Sequence, residues 1–289
     1  MIKRVVIPAA GLGTRLLPST KETPKEMLPI FTVSQDGEVC VKPLLQTIFE
    51  QLFDVGMREF CFVVSRTKGS IVDHFTSDIN FANTLNDLGK CDAANELLSF
   101  YEKLNASSIV FINQSHPRGF GDAVLEAAPY VSEPFLVQAG DTYILSKGNR
   151  HLTRLLKVHE TFKSAATFLV NHIEDPRAFG VMMGDEVERG MYVVRRVVEK
   201  PEELVSNLAI TALYLFDPVI FTALRSIQPG RGGEIQLTDG IQGLIDSGRT
   251  VMAVQLDNNE RWLDVGNPGS YWEALRRSHQ FFEKVQAGN

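Results

Sequence analysis

The chain has 289 residues, 44% apolar and 22% charged, the balance of an ordinary globular protein with length for one large core or two small ones. A formal net charge of −6 without a long basic run argues against a nucleic-acid partner, and no run of about 18 apolar residues suggests a membrane span. The three cysteines, Cys40, Cys61 and Cys91, lack CxxC spacing, which argues against a zinc site or disulfide framework and for a reducing, cytoplasmic setting.

Ile2–Pro8 is a short β-branched run ending in a glycine loop, the pattern of a buried strand. Phe60–Ser65, Ile109–Asn113 and Pro134–Gln138 repeat it, and Cys61 inside one of them is expected as an inert buried thiol. Between these runs, Pro43–Val55 sets Leu44, Leu45, Ile48, Leu52 and Phe53 at helical spacing. A second helix after Gly121 sets Ala123, Val124 and Ala127 on one face. Phe75–Asn105 is polar and helix-prone, an inserted helical excursion. Strands alternating with helices over the first 145 residues predict a parallel sheet with right-handed crossovers and a ligand beyond the strands' carboxyl ends.

Farther on, Ala166–Val170, Tyr192–Glu199 and Ala209–Phe216 favour β structure. Helices are expected after Asp217-Pro218, after Thr238, and from Pro268 to about Val285. No Pro/Gly/Ser-rich linker interrupts the chain. It reads as one unit, residues 1–289, with two lobes, about 1–145 and about 146–289.

The segment AAGLGTRLLPSTKETPKEMLPI, Ala9 to Ile30, carries the strongest signal. Gly11 and Gly13 bare the backbone just after a strand, so amide N–H groups can approach phosphates or a base edge. Arg15 and Lys25 bring positive charge to the same place, and Pro18, Pro24 and Pro29 stiffen the loop that carries them. Leu16 stands where a dinucleotide fingerprint needs its third glycine, and the GK[ST] ending of a phosphate-binding P-loop is missing. Spacing alone therefore defines an anion-friendly loop.

The whole segment closely resembles the signature of the sugar-nucleotide pyrophosphorylases, AGxGTRLxPxTxxxPKxMLP, and further landmarks of that family follow in order over nearly the full chain. The resemblance implies a Rossmann-like nucleotidyltransferase fold: α/β, with a mixed, mainly parallel central sheet flanked by helices and a strand-rich sugar-binding lobe. It implies nucleotide contacts from Ala10, Gly11, Gly13 and Thr14, with Arg15 and Lys25 holding the triphosphate. Gln114 and Gly119, in QSHPRGFGDAV, would read the base, and an amide that both donates and accepts suits a pyrimidine edge. Asp141 in QAGDTYI and Asp264 in RWLDVGNP match the family's Mg²⁺ aspartates.

On the sugar side the resemblance places Gly180 (in AFGV) against the sugar, Glu199 on its hydroxyls and Lys200 on its phosphate. Neighbouring strand residues point to opposite faces, so the chain must bend at Glu199-Lys200 if both reach one ligand. Glu234 and Asp239, in GGEIQLTD, are expected to shape a loop and cap a helix.

The implied reaction joins a nucleoside triphosphate to a sugar 1-phosphate, with Arg15, Lys25 and Lys200 as its cationic machinery. PKEMLPI, SNLAI and GGEIQLTD favour UTP with glucose 1-phosphate. The WLDVG form and the long Phe31–Lys42 segment keep dTTP with the same sugar as the alternative, whereas Gly232 replaces the phosphate-binding arginine usual in thymidylyltransferases. The family implies a homodimer or homotetramer. The reading from a different class, a non-catalytic regulatory subunit that binds nucleotide sugars, is disfavoured because Arg15, Lys25 and both aspartates are present.

Overall fold

The structure, a computed structural model, describes residues 2–230 and 233–286. Strand β1 (Arg4–Pro8) leads into the glycine loop. A hairpin follows, β2 (Pro29–Val33) and β3 (Val39–Pro43), turning at Gly37 with φ +83°. Helix α1 (Leu44–Asp54) buries Leu44, Leu45, Ile48 and Leu52, as its spacing predicts, and Phe49 besides, while Phe53 is half-buried. After β4 (Glu59–Val64) comes α2 (Gly69–His74), and the excursion expected over Phe75–Asn105 comprises α3 (Ile79–Asp87) and α4 (Cys91–Asn105). Asp78 caps α3 by accepting from the Phe81 amide at 3.0 Å.

Next come β5 (Ser108–Asn113), α5 (Phe120–Glu126), β6 (Phe135–Gln138), β7 (Thr142–Leu145) and α6 (Arg150–Phe162). The strand-rich half supplies β8 (Ala166–His172), β9 (Gly180–Glu188), β10 (Met191–Glu199) and β11 (Leu208–Phe216). Helices α7 (Val219–Ser226) and α8 (Leu237–Asp246), strands β12 (Val251–Gln255) and β13 (Arg261–Asp264), and helix α9 (Pro268–Gln286) complete it. Proline at the first turn of α9 needs no amide partner, and Asn267 before it accepts from the Ser270 amide at 3.0 Å.

Nine strands form one sheet in the order β5-β4-β1-β6-β11-β8-β12-β10-β9. The β5-β4, β4-β1, β1-β6 and β8-β12 junctions are parallel and the other four antiparallel, so the sheet is mixed. Its parallel run is the expected one, in the first half of the sequence. Alternate residues of each central strand feed opposite cores. Val5 and Ile7 pack on one face with α1, α4, α6 and α9, while Val6, Cys61 and Val63 pack on the other with α5, α7 and α8. Burial on both faces explains why these strands read as continuous apolar runs. Among the described residues no helix is long and apolar enough to cross a membrane.

Some boundaries differ from expectation. The long Phe31–Lys42 segment is mostly the β2-β3 hairpin, with Phe31–Val33 in one strand and Val39–Lys42 in the other. Helix α8 starts at Leu237, ahead of Thr238, so Asp239 lies within its first turn, where a carboxylate complements the helix dipole, and caps nothing.

Candidate active site

A cavity of about 520 Å³ opens beyond the carboxyl ends of β1, β5 and β6 and extends over β10 and β11. Ala10, Gly11, Gly13, Thr14, Arg15, Lys25, Gln114, Gly119, Asp141, Gly180, Glu199, Lys200 and Asp264, gathered from the whole length of the chain, all line it. Glu234 lines it as well, whereas Asp239 does not. Gly232 lies outside the described residues.

The glycine loop is folded back on itself. Gly13 has φ +67°, a left-handed conformation that glycine adopts without penalty, and its carbonyl accepts from Thr20 Oγ1 at 2.8 Å. Beyond it Lys25 Nζ donates to Asp141 Oδ2. Beneath that pair lies a second one: Lys68 Nζ donates to Glu26 Oε2 at 2.7 Å, with Glu26 2% and Lys68 5% exposed. Burial opposes the charge on Lys25, but Asp141 and Glu26 outweigh it and hold the ammonium above its ordinary range. Burial pushes the Glu26 carboxyl up, against the pull of Lys68.

Asp141 and Asp264 are brought together by backbone. Asp264 faces Thr142 in the β13-β7 ladder, and the Val265 amide donates to the Asp141 carbonyl at 2.9 Å. Burial first, and then the Asp141 charge, raises the Asp264 carboxyl, with Arg15 and Lys25 partly offsetting both. Gly266 makes this crowding possible: a Cβ there would stand 2.5 Å from Asp264 Oδ2 and 3.2 Å from Arg15 Nη2.

On the far wall Thr238 Oγ1 donates to Glu199 Oε2 at 2.7 Å. A side chain at Gly180 would crowd both, its Cβ 3.1 Å from each oxygen. Lys200 takes φ +41°, and its Nζ lies 3.4 Å from Glu199 Oε1. That turn is the bend needed for both adjacent residues to line the same cavity. Trp262 stands edge-on to Phe179 with ring centroids 4.7 Å apart, adding an apolar side.

Gln114, 6% exposed at the end of β5, donates from Nε2 to Asp122 Oδ2 at 2.8 Å and to the Gly119 carbonyl at 3.2 Å. The loop bearing Gly119 is zipped to the segment before α8: the Gly121 amide donates to the Ile235 carbonyl and the Ile235 amide to the Arg118 carbonyl. Gly119 and Gly121 permit this approach, since a Cβ on either would come within 2.8 Å of the Ile235 carbonyl oxygen. Sequence reasoning missed Asp122, Thr238 and the Glu26–Lys68 pair as parts of the site. Asp122 alone left a signal, a carboxylate amid the apolar residues of a short helix.

A nucleotide-sized cavity at the end of a mixed α/β sheet, with cations and paired carboxylates on one wall and a glutamate-lysine step on the other, defines a transferase acting on phosphorylated substrates. The chain belongs to the nucleotidyl transferase family, whose pattern matches residues 4–280. It is 40% identical over 274 residues to a UTP–glucose-1-phosphate uridylyltransferase of Streptococcus pyogenes, spanning 92% of this chain and 85% of that protein. Its fold is similar to a UDP-glucose pyrophosphorylase solved with UDP-glucose, at TM-score 0.81 and 30% identity over 98% of this chain and 100% of that one. A UTP-bound UGPase from Acinetobacter baumannii aligns with TM-score 0.81 and 27% identity over 99% of both chains.

Proposed function

We propose that this enzyme transfers a uridylyl group from UTP to glucose 1-phosphate, giving UDP-glucose and pyrophosphate. The carrying observation is the single cavity in which Arg15, Lys25, Asp141 and Asp264 stand on one side and Gly180, Glu199 and Lys200 on the other, with Gln114 beside them. That arrangement supports a triphosphate at the glycine loop and a sugar phosphate at the Glu199-Lys200 step.

An oxygen of the sugar phosphate attacks the α-phosphorus, and the bond from that phosphorus to the β-phosphate oxygen breaks, so pyrophosphate leaves with the electron pair. The attacking oxygen already carries charge near neutral pH, and no protein nucleophile is needed. The chain's task is positioning and charge neutralisation. Lys200 holds the attacking phosphate while Glu199, fixed by Thr238, accepts from sugar hydroxyls. Arg15 and Lys25 face the leaving pyrophosphate, Ala10, Gly11, Gly13 and Thr14 line the nucleotide, and Gly119 lets the loop close on the base.

Nucleotidyltransferases of this family generally use a divalent metal, and the residues here fit one. Asp264, half-buried and pushed up beside Asp141, forms with it a pair of hard oxygen donors whose mutual repulsion a cation would relieve. Two carboxylates plus substrate oxygens are the set Mg²⁺ favours, so Mg²⁺ is the proposed ion. When bound it supplies charge neutralisation at the phosphate oxygens.

The likeness to the Streptococcus pyogenes uridylyltransferase supports UTP over the dTTP alternative. The remainder of the proposal is a cytoplasmic homodimer or homotetramer, readable by light scattering. The test of function is product analysis: protein, Mg²⁺, UTP and glucose 1-phosphate should yield UDP-glucose on chromatography. Folded protein that binds UTP and forms no product would overturn the catalytic reading in favour of a regulatory subunit.

A further inference from the structure

The hydrogen bonds around Gln114 fix which end of its amide faces a nucleotide. Its Nε2 carries two N–H groups, and both are engaged, one by the Asp122 carboxylate and one by the Gly119 carbonyl. Both partners offer acceptor oxygens, a carboxylate gripped by Arg118 and a backbone carbonyl, so turning the amide over sets oxygen against oxygen twice, once in a buried place and once in a part-buried one. Asp122 is itself 2% exposed and is held from its other side, where Arg118 Nη2 lies 3.0 Å from Oδ1. Gln114 Oε1 is left as the free end, accepting no hydrogen bond among the described residues, on a side chain that lines the cavity.

We propose that Asp122, which touches no substrate, sets base specificity by locking Gln114 with its acceptor toward the nucleobase. This rests on the uridylyl-transfer reading and deepens it. An outward-facing carbonyl oxygen matches a pyrimidine that carries a proton on N3, as uracil and thymine do. Oε1 is set against N3 itself, where cytosine presents a lone pair and meets acceptor with acceptor, rather than against position 4, where its amino group would donate. The device separates UTP from CTP and is blind to the 5-methyl group that separates UTP from dTTP.

The test is Asp122→Asn. Arg118 would keep the introduced amide's oxygen and turn its –NH₂ toward Gln114, which removes the stronger of the two contacts holding Nε2 inward and favours Oε1 there, opposed only by the longer contact to the Gly119 carbonyl. The UTP:CTP ratio of kcat/KM should fall about a hundredfold, with CTP gaining in absolute terms, while KM for glucose 1-phosphate stays as in the wild type. Asp122→Ser, whose hydroxyl donates or accepts, should give an intermediate ratio and is the second variant should the amide substitution fail to fold. A merely structural role would lower both nucleotides together and leave the ratio alone; an unchanged ratio in a folded variant overturns the proposal. If the wild type turns over neither nucleotide, the transfer reading fails separately, and calorimetric UTP and CTP binding to the wild type and variants still decides the role of Asp122.

Discussion

Lys25 and Asp141, 116 residues apart in the chain, form an ion pair at the point where the glycine loop meets the end of β6. The ammonium expected on the triphosphate thus neutralises one of the two carboxylates expected on the metal. Binding of a metal–nucleotide pair would separate them, giving each side chain a new partner of the same charge sense as the old. The proposed function places both residues for the charged transition state.

Lys25→Ala and Asp141→Ala should each lower kcat by about 10²–10³, the usual cost of removing one preorganised charge contact. Melting curves near that of the wild type should accompany the loss. Turnover within a few-fold of wild type in both would remove them from the machinery.

Thr238→Val removes the hydroxyl that donates to Glu199 Oε2 and keeps the shape. A hydrogen bond to a charged group is worth about 1.5 kcal/mol or more, so KM for glucose 1-phosphate should rise about tenfold. KM for UTP should not move. Steady-state kinetics with each substrate varied in turn separates the two.

Gly121→Ala should disturb both substrates. Its Cβ would sit 2.8 Å from the Ile235 carbonyl oxygen and 3.0 Å from the Leu237 amide nitrogen, and backbone cannot yield as a flexible side chain would. Overpacking of this kind costs about 1–3 kcal/mol and would pry the base-side loop from the segment leading into α8. Chemical denaturation should report the destabilisation, and both KM values should increase.

His151 gives a pH prediction remote from the cavity. It is fully buried on α6 with neither ring nitrogen hydrogen-bonded among the described residues, and burial lowers its pKa to about 3. Unfolded, it takes a proton near the ordinary histidine pKa of 6.5. Below that pH the unfolded chain binds a proton that the folded chain refuses, so stability is lost as pH falls from 6.5 toward 3. Between pH 7.5 and pH 5 the wild type should lose about 2 kcal/mol more than His151→Leu in urea denaturation. Equal losses would show that the folded histidine protonates normally.

Much of this was legible in the sequence because the physics was local. The short β-branched runs specified β1, β4, β5 and β6 to within a residue or two, and glycines, cations and prolines crowded into Ala9–Ile30 announced an anion site. Cys61 is the buried thiol expected, its pKa pushed up to about 12 by desolvation. Illegible were the relations between distant segments. Nothing near Thr238 says that its hydroxyl meets Glu199, and nothing near Glu26 says that Lys68 pairs with it. The positive φ at Lys200 was required by logic, since two neighbours had to reach one ligand, but no local residue preference announces a left-handed lysine.

The most direct test is a competition: wild-type protein, Mg²⁺ and glucose 1-phosphate with equimolar UTP, dTTP, CTP, ATP and GTP, with every nucleotide sugar quantified. The account predicts pyrophosphate release matched by UDP-glucose as the dominant product, with little CDP-glucose. Dominant dTDP-glucose, a purine nucleotide sugar, or no product from folded protein would contradict it.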